Sequence, residues 1–292
     1  MNLRQLEIFS TVIHEGSFTQ AARKLNMAQP AVSIAVRKLE ERLELKLIHR
    51  ADDITPTAEG YILLEHAHQL LNDMRLTQQA MSDLHELKAG QVRLSTSPIL
   101  GNYFFPEKIQ AFRKHYPNIE FQIHYQKTIS ERHLLDLQQC DLCVVNMQEI
   151  PKDFDAVFIS QQEVVACVAP TNPLAKKKNL AIAEAIKHPT ALYCEGHTLR
   201  NIMDREYKKR QITPNIIMES DLTGMILQTV ANTQSIGLCL RTISQHEPAI
   251  NVIPFKKPLY LNVGIGWKNN TYLSAANRAF VDFMETSSNK SE

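Results

Sequence analysis

Three polar side chains near the amino terminus have a spacing that suits the recognition of DNA. Gln29, Ser33 and Arg37 recur every four residues along one predicted helix. The opposite side of that helix is apolar and consists of Val32, Val36, Leu39 and Leu43. Amide, hydroxyl and guanidinium groups can hydrogen-bond base edges in the major groove, which is wide enough to admit a helix. The pattern therefore predicts a recognition helix.

Two more amphipathic segments precede this helix and complete a small helical core. Leu6, Phe9 and Ile13 define the first, and the second has the apolar positions Phe18, Ala21, Ala22 and Leu25. Ser17 and Gln20 form an S-x-x-Q capping box at the start of the second segment. The small side chains of Ala21 and Ala22 allow a close crossing after the short turn at residues 26–28, which predicts a helix-turn-helix pair.

Charge alone does not identify this region as a DNA-binding domain. Residues 1–57 contain 8 Lys and Arg against 7 Asp and Glu, so no basic stripe is present. Affinity for phosphates must then come from individually placed cations, from helix amino termini and from duplication of the unit. The alternative is a three-helix part of a larger core with an ordinary solvated polar face.

Length and composition limit the class of protein. The 292 residues suffice for two or three domains, and no apolar run is long enough to cross a bilayer. The first residues have no signal-peptide pattern, so we expect a cytoplasmic protein. The five cysteines are odd in number and lie in apolar segments, which favours reduced, buried thiols over disulfides.

A long helix is predicted from Thr57 to Lys88, since nothing interrupts the pattern before Gly90. One stripe of this helix has a 3.5-residue period sustained for three heptads, which indicates a partner helix and hence dimerisation. The stripe consists of Leu63, Ala67, Leu70, Met74, Thr77, Met81 and Leu84. The alternative is a long helix that packs on its own chain. Between the two helices, Leu45 to Pro56 has two short extended pieces around a polar tip, which predicts a wing.

The motifs of residues 1–60 resemble the amino-terminal domain of LysR-type transcriptional regulators. The resemblance rests on the runs Leu6-Glu7-Ile8-Phe9, Gly16-Ser17-Phe18-Thr19-Gln20-Ala21-Ala22-Arg23-Lys24-Leu25, Gln29-Pro30-Ala31-Val32-Ser33, Leu39-Glu40 and Thr57-Ala58-Glu59-Gly60. It implies a sequence-specific regulator with a winged helix-turn-helix, a dimerising linker helix and an effector domain. The expected partners are double-stranded DNA, RNA polymerase, a small-molecule effector and a second copy of the chain, commonly as a dimer of dimers. No cofactor, metal or membrane partner is expected.

The predicted DNA-binding residues combine the polar face with this resemblance. They are Ser17, Thr19, Gln29, Pro30, Ser33, Ile34, Arg37 and Arg50. Arg50 is placed in the wing, where it either contacts a phosphate or the minor groove or is simply solvated. The chain departs from the usual family pattern at Ala28, Ile34, Glu44 and Ile48. An aliphatic side chain such as that of Ile34 can touch a thymine methyl group but cannot bond a guanine edge.

After Gly90, predicted strands alternate with predicted helices, which indicates parallel sheets covered by helices. Strands are expected at 92–96, 119–124, 140–145, 164–169, 190–193, 215–218, 236–240 and 260–265. Helices are expected at 106–115, 130–138, 182–187, 199–210, 222–231 and 273–284. This α/β pattern resembles the two-lobed, Rossmann-like periplasmic-binding-protein domain of the same family.

We therefore expect three parts in the chain. Residues 1–58 form the winged helix-turn-helix, 59–89 the dimerisation helix and 90–292 the effector domain. Lobe one is expected at about 90–162 plus 266–292, because the last helix returns to it, and lobe two at about 163–265.

An effector site is expected at the carboxyl ends of the strands, where helix amino termini offer free amides. Ser97 and Thr128 match the effector-binding loops of the family, and Lys127 is adjacent to Thr128. Strand order adds Asn146, Glu195 and His197. These hydroxyls and amides suit a small anion such as a carboxylate, whereas Glu195 favours an amine or a hydroxyl group. Ser97 and Thr128 can alternatively be ordinary helix caps.

Two other classes of protein fit the sequence less well. Cys140 and Cys143 have the spacing of a redox or zinc pair, but residues three apart on a strand point to opposite faces and no second pair follows. Neither a G-x-S-x-G elbow nor a P-loop occurs, so we expect no enzyme. The helix-turn-helix and the missing signal peptide argue against a stand-alone solute-binding protein.

Overall fold

Two compact units, Met1–Glu86 and Leu87–Glu292, make up the chain. The structure is a computed structural model that describes residues 1–49, 54–83, 90–125 and 140–288. The wing tip with Arg50, the end of the linker helix with Leu84, and the predicted helix at 130–138 therefore lie outside the described residues. Within the described ranges, no helix combines the length and apolar character needed to cross a bilayer.

The first unit is a winged helix-turn-helix followed by a long helix, as the sequence predicts. Its elements are α1 (Leu3–Glu15), α2 (Phe18–Lys24), α3 (Gln29–Leu43), β1 (Ile48–His49), β2 (Thr55–Pro56) and α4 (Ala58–Asp83). Phe9, Val12, Val32 and Val36 have no exposed surface, and Ala21 is equally buried where α2 meets α3. The alanine methyl group lets the two helices approach closely, which fixes the position of α3.

Hydrogen bonds and one tight contact join the wing to α3 and α4. The buried carboxylate of Glu40 accepts the Leu47 amide at 3.0 Å. The Thr57 hydroxyl donates to the Lys46 carbonyl at 2.6 Å and accepts the Gly60 amide at 3.0 Å. A Cβ atom on Gly60 would lie 2.1 Å from the Leu47 carbonyl oxygen, so a side chain there would force the wing and α4 apart.

In the part of the second unit that the structure describes, there are one six-stranded sheet and a smaller two-stranded one. Its elements are β3 (Gly90–Thr96), α5 (Pro98–Tyr103), α6 (Phe105–His115), β4 (Ile119–Tyr125), β5 (Leu142–Asn146), β6 (Phe154–Val168), α7 (Ile182–Ala185), β7 (Thr190–Leu192), α8 (Thr198–Arg210), β8 (Ile216–Glu219), α9 (Thr223–Asn232), β9 (Gly237–Leu240), β10 (Asn251–Lys268) and α10 (Ala275–Ser288). Short 3₁₀ helices occupy Pro173–Lys176 and Arg241–Gln245. The larger sheet has the order β4-β3-β5-β10-β6-β9, and β7 pairs with β8.

The expectation of parallel sheets is confirmed only in part, because two long antiparallel strands cross between the lobes. β3 is parallel to β4 and β5, but β10 is antiparallel to both β5 and β6, and β6 is antiparallel to β9. The paired strands β6 and β10 run in opposite directions along both lobes, so each lobe includes antiparallel pairs. The sequence pattern predicted only part of each of these two strands, at 164–169 for β6 and at 260–265 for β10.

The last helix completes lobe one. Phe280 of α10 has its ring centroid 5.2 Å from that of Phe112 and 5.1 Å from that of Phe121. The Asn277 side-chain amide donates to the Asp141 carboxylate at 3.2 Å. The last helix of the unit therefore packs on its first strands and helices, whereas the bounds of the two lobes stay a prediction.

Two helix ends of the first unit adopt the same left-handed backbone with different residues. Gly16 after α1 has φ 58° and Glu44 after α3 has φ 54°. A Cβ atom on Gly16 would meet nothing within 4 Å, so a side chain there costs only conformational energy. We expect Gly16→Ala to destabilise the unit by about 1 kcal/mol and Glu44→Gly to stabilise it by about 0.5–1 kcal/mol.

Urea denaturation of the full chain, followed by circular dichroism, measures both changes. Shifts of the two midpoints in the same direction would show that backbone conformation does not control these helix ends.

Candidate functional site

The exposed side of α3 carries the polar residues that the sequence selects. Gln29, Pro30 and Arg37 are exposed, Ser33 is half-buried, and the Ile34 side chain is 41% exposed. Ala28 precedes the helix and gives no side-chain cap, so the first amides of α3 have no acceptor from that side chain. Helix amides of this kind can bind a phosphate oxygen. The arrangement places amide donors, a guanidinium and an aliphatic group on one convex face.

The start of α2 lies beside this face in the helix-turn-helix. The Ser17 hydroxyl accepts the Gln20 amide at 3.3 Å and caps α2, and Thr19 is exposed two residues after the cap. Arg37 has Glu41 as a distant neighbour, with 3.8 Å between Nε and the carboxylate, and both side chains are exposed. An ion pair with this much exposure is weak, so the Arg37 guanidinium can leave Glu41 and bind a phosphate instead.

The predicted stripe on α4 is divided in two by the fold. Ala67 has no exposed surface and is not available to a partner helix, and Leu63 is half-buried and packs against the helix-turn-helix core. The reason is that α1 packs along the first half of α4, where the Ser10 hydroxyl and His68 Nε2 are 2.7 Å apart. Further along, Leu70, Met74 and Met81 are 44%, 43% and 57% exposed. The burial of Ala67 therefore corrects its assignment to dimerisation, and that of Leu63 stays a prediction.

A cleft of about 130 Å³ lies between the lobes of the second unit. Lobe one contributes Ser97, which caps α5, and Asn146 at the end of β5; lobe two contributes His197 and Thr198 at the start of α8. The apolar part of the wall includes Ile99, Leu100, Val144, Leu199, Leu240, Leu261 and Val263. The crossing strand β10 therefore forms part of the wall.

Three of the predicted effector residues, Ser97, Asn146 and His197, meet in this cleft. Glu195 does not line it, because its side chain is exposed on the turn before α8. Lys127 and Thr128 lie outside the described residues. Sequence reasoning missed Glu149, Thr198 and Asn262. Thr198 directly follows a predicted residue, whereas Asn262 is placed only by the pairing of β10.

Burial and hydrogen bonding keep His197 uncharged. Its ring stacks on Tyr193 at 4.0 Å between centroids, with 11° between the planes. Its Nδ1 accepts the Leu199 amide at 3.2 Å, so the proton of the neutral ring resides on Nε2. Burial lowers the pKa of His197 to about 4, and the weaker influence of Asp221 opposes this shift.

The described lining of the cleft combines apolar side chains with polar groups and carries little charge. It includes no Lys or Arg, and Glu149 is its one carboxylate among the residues that the structure describes. The side chains of Asn146 and Asn262 already make one bond each, since they accept the Gln148 amide at 3.1 Å and the Gln161 side chain at 3.0 Å. Their amide hydrogens remain as donors. The expectation of an anionic ligand therefore receives no support from the described residues.

The cysteine pair considered for redox or zinc chemistry is part of the core. Cys140 and Cys143 are buried, and Cys143 Sγ lies 3.4 Å from the Gly266 carbonyl oxygen. Burial raises the pKa of the Cys143 thiol, which opposes formation of the reactive thiolate. Among the described residues, no cluster of three or more His, Cys, Asp or Glu could hold a metal ion.

Family models match both units. The model described as "Bacterial regulatory helix-turn-helix protein, lysR family" matches residues 3–61, and the "LysR substrate binding domain" matches residues 85–288. The uncharacterized HTH-type transcriptional regulator YwbI of Bacillus subtilis is 28% identical over 286 residues, covering 97% of this chain and 95% of YwbI.

Two full-length solved structures share the fold. A substituted form of OxyR from Pseudomonas aeruginosa has a TM-score of 0.74 at 20% identity, and the match covers 97% of this chain and 94% of OxyR. CbnR complexed with its target DNA has a TM-score of 0.74 at 17% identity, and the match covers 98% of this chain and 100% of CbnR. At these identities the likeness shows the fold alone.

The lowered pKa of His197 predicts a pH dependence of stability. Unfolded His197 takes up a proton near its ordinary pKa of 6.5, but the folded residue does so only near 4. The unfolded state binds more protons between these values, so stability falls as the pH falls through this window. His197→Asn keeps an acceptor at the cap and removes the titration. We expect wild type to lose about 2 kcal/mol more than this variant between pH 7 and pH 5.

Urea unfolding at the two pH values measures the difference. Equal losses in wild type and variant would mean that His197 is not held neutral by the fold.

Proposed function

The chain belongs to the LysR family of DNA-binding transcriptional regulators, and from this we propose how it contacts DNA and which effector it binds. Its carboxyl-terminal unit is the effector-binding domain of that family. The proposal is that α3 contacts base pairs in the major groove, while a small polar molecule in the cleft changes the closure of the two lobes. The observation that carries it is the meeting of Ser97, Asn146 and His197 in one cleft lined by both lobes.

The DNA contact is proposed for the exposed end of α3 and the start of α2. Gln29, Ser33 and Arg37 have the donors and acceptors that base edges require, and Pro30 and Ile34 add apolar contact. Ser17 and Thr19 at the start of α2 are proposed to face the phosphates, where the helix amides favour an anion. Arg50 in the wing is assigned to a backbone contact from the sequence alone.

Self-association is proposed through the exposed half of the α4 stripe. Leu70, Met74 and Met81 are large apolar side chains on one side of a helix, and water contact makes their exposure unfavourable. A second α4 helix covers them in the proposed homodimer, of which two copies form a tetramer. Because one module carries little net charge, duplication is also what makes DNA affinity sufficient. A chain that sediments as a monomer at micromolar concentration would contradict this.

The effector is proposed to be a small polar molecule that is uncharged or carries an amine. Hydroxyl and amide groups line the cleft together with the neutral imidazole of His197, and Glu149 is positioned to attract a cationic group. The apolar wall then surrounds the rest of the molecule. A ligand that touches both lobes stabilises one degree of closure, and RNA polymerase responds to the altered DNA complex in the cytoplasm.

The identity of residue 34 predicts a base preference. Ile34 is 41% exposed on the face assigned to DNA, where it can contact a thymine methyl group. We expect Ile34→Arg to change the preference at that base pair from T to G, with a discrimination of about 1–3 kcal/mol. Ile34→Val is the matched control and should keep the wild-type preference.

Selection from a library of random duplexes, followed by sequencing, compares the three proteins. An unchanged site in the Ile34→Arg variant would exclude Ile34 from the base contact.

A thermal-shift screen of metabolites tests the effector class, because a ligand that binds only the folded protein raises its melting temperature. We expect amine-bearing or polyhydroxylated compounds to bind and carboxylates to bind less well. For an amine, Glu149→Gln should weaken affinity about tenfold, whereas Glu120→Gln on β4 should leave it unchanged.

A true effector should also alter the length of DNA protected by the protein in a footprint. An amine that binds both variants equally, or a hit that leaves the footprint unchanged, would contradict the proposed site or the closure mechanism respectively.

A further inference from the structure

Lobe two has a second concavity outside the cleft, which we call the basic groove. It lies between the carboxyl-terminal half of α8, the start of α7 and the middle of β10, and its volume is about 500 Å³. Its cationic lining residues are Arg205, Lys209, Arg210, Lys256 and Lys257. The volume is in the range of small-molecule sites, which is about 300–1,000 Å³.

Cations outnumber carboxylates in the lining of the groove, and outside the lining Glu184 also interacts electrostatically with Lys256. Glu206 is its one acidic lining residue among those the structure describes, and that carboxylate pairs with Arg210. Lys209, Lys256 and Lys257 are exposed and have no carboxylate within 4 Å among the described residues. The whole chain has a net charge of only +1, so these cations do not reflect a generally basic protein. Like charges this close repel each other, and a bound anion would relieve that repulsion.

The floor of the groove is apolar and its backbone is held in place. Ile182, Ile202, Phe255 and Leu259 line the groove, and Phe255 is only 3% exposed. Around Phe255 the register between β10 and β6 is interrupted, and Leu180 takes the place of β6. The Lys256 amide donates to the Leu180 carbonyl and the Leu180 amide to the Pro254 carbonyl, each at 2.9 Å. Lys256 and Lys257 therefore project from a fixed segment.

We propose that the basic groove binds an organic phosphate, a use that goes beyond the effector cleft. Phosphate groups would contact Arg205, Lys209 and the Lys256–Lys257 pair, and an apolar or planar portion would lie on the Phe255 floor. Several cations around one concavity match a multiply charged phosphate better than a carboxylate with its single charge. A duplex is much wider than a concavity of this volume, so nucleic acid is the less suitable occupant.

The two cavities of the second unit share their supporting elements. The first residues of α8 line the cleft, and its last turns line the groove. Likewise β10 contributes Leu261, Asn262 and Val263 to the cleft, and its groove residues are Phe255, Lys256, Lys257 and Leu259. A ligand in the groove therefore contacts the same helix and strand that form one wall of the cleft.

Isothermal titration of the full chain with ATP tests the proposal, with pyrophosphate and adenosine as partial probes. We expect ATP to bind, and both partial probes to bind about tenfold more weakly or not at all, since each lacks one half of the interaction. Lys256→Gln/Lys257→Gln should weaken ATP binding about tenfold or more. The matched control is Arg113→Gln/Lys114→Gln, which removes two adjacent exposed cations on α6 of lobe one and should retain the wild-type affinity.

Three results would overturn the proposal. They are no binding of ATP at millimolar concentration, equal losses in the two double variants, and pyrophosphate binding as tightly as ATP. Displacement of ATP by a short random duplex, from wild type and from the Arg113→Gln/Lys114→Gln control alike, would favour nucleic acid instead. If the Lys256→Gln/Lys257→Gln variant fails to fold, the same titration is made with Lys209→Gln, because Lys209 is an exposed helix residue. DNA binding by α3 is measured separately, so either proposal can fail alone.

Discussion

The antiparallel pairing of β6 with β10 is the constraint on which the second unit depends. These strands of 15 and 18 residues are paired from Asn251–Val168 at one end to Lys268–Phe154 at the other. Because they extend through both lobes, they bring the end of β5 in lobe one and the start of α8 in lobe two to the same cleft. Where their pairing is interrupted after Pro254, the strand segment that lines the basic groove leaves the β6 ladder. The same pair of strands therefore positions both cavities.

In the first unit, small side chains position the helices and the wing by allowing close approach. Ala21 is completely buried where α2 crosses α3, and Gly60 leaves room for the Leu47 carbonyl where α4 meets the wing. Buried polar groups then hold the start of the wing, since Glu40 bonds the Leu47 amide and Thr57 bonds the adjacent Lys46 carbonyl. Because the core holds the helices in one arrangement, the exposed side of α3 can vary to suit the DNA site without loss of the fold.

The cleft shows how an environment changes the chemistry of a side chain. An exposed histidine is partly charged near neutral pH, but stacking on Tyr193 and burial hold His197 neutral. With Nδ1 occupied by the Leu199 amide, His197 becomes a single N–H donor of fixed tautomer. Together with Ser97 and Asn146 it gives the described part of the cleft polar groups with little charge.

The amino-acid sequence by itself determined the helix-turn-helix, the exposed face of α3, the wing and the alternation of strands and helices in the second unit. These features depend on local periodicity and capping, which neighbouring residues express directly. The sequence also selected Ser97, Asn146 and His197, because strand ends and helix starts have local signals. Only the tertiary structure decided that α1 packs along α4 where Ala67 is buried, that Glu195 does not line the cleft, and that β6 and β10 extend across both lobes. Those outcomes depend on pairing and packing between residues far apart in the chain, for which a periodic pattern contains no information.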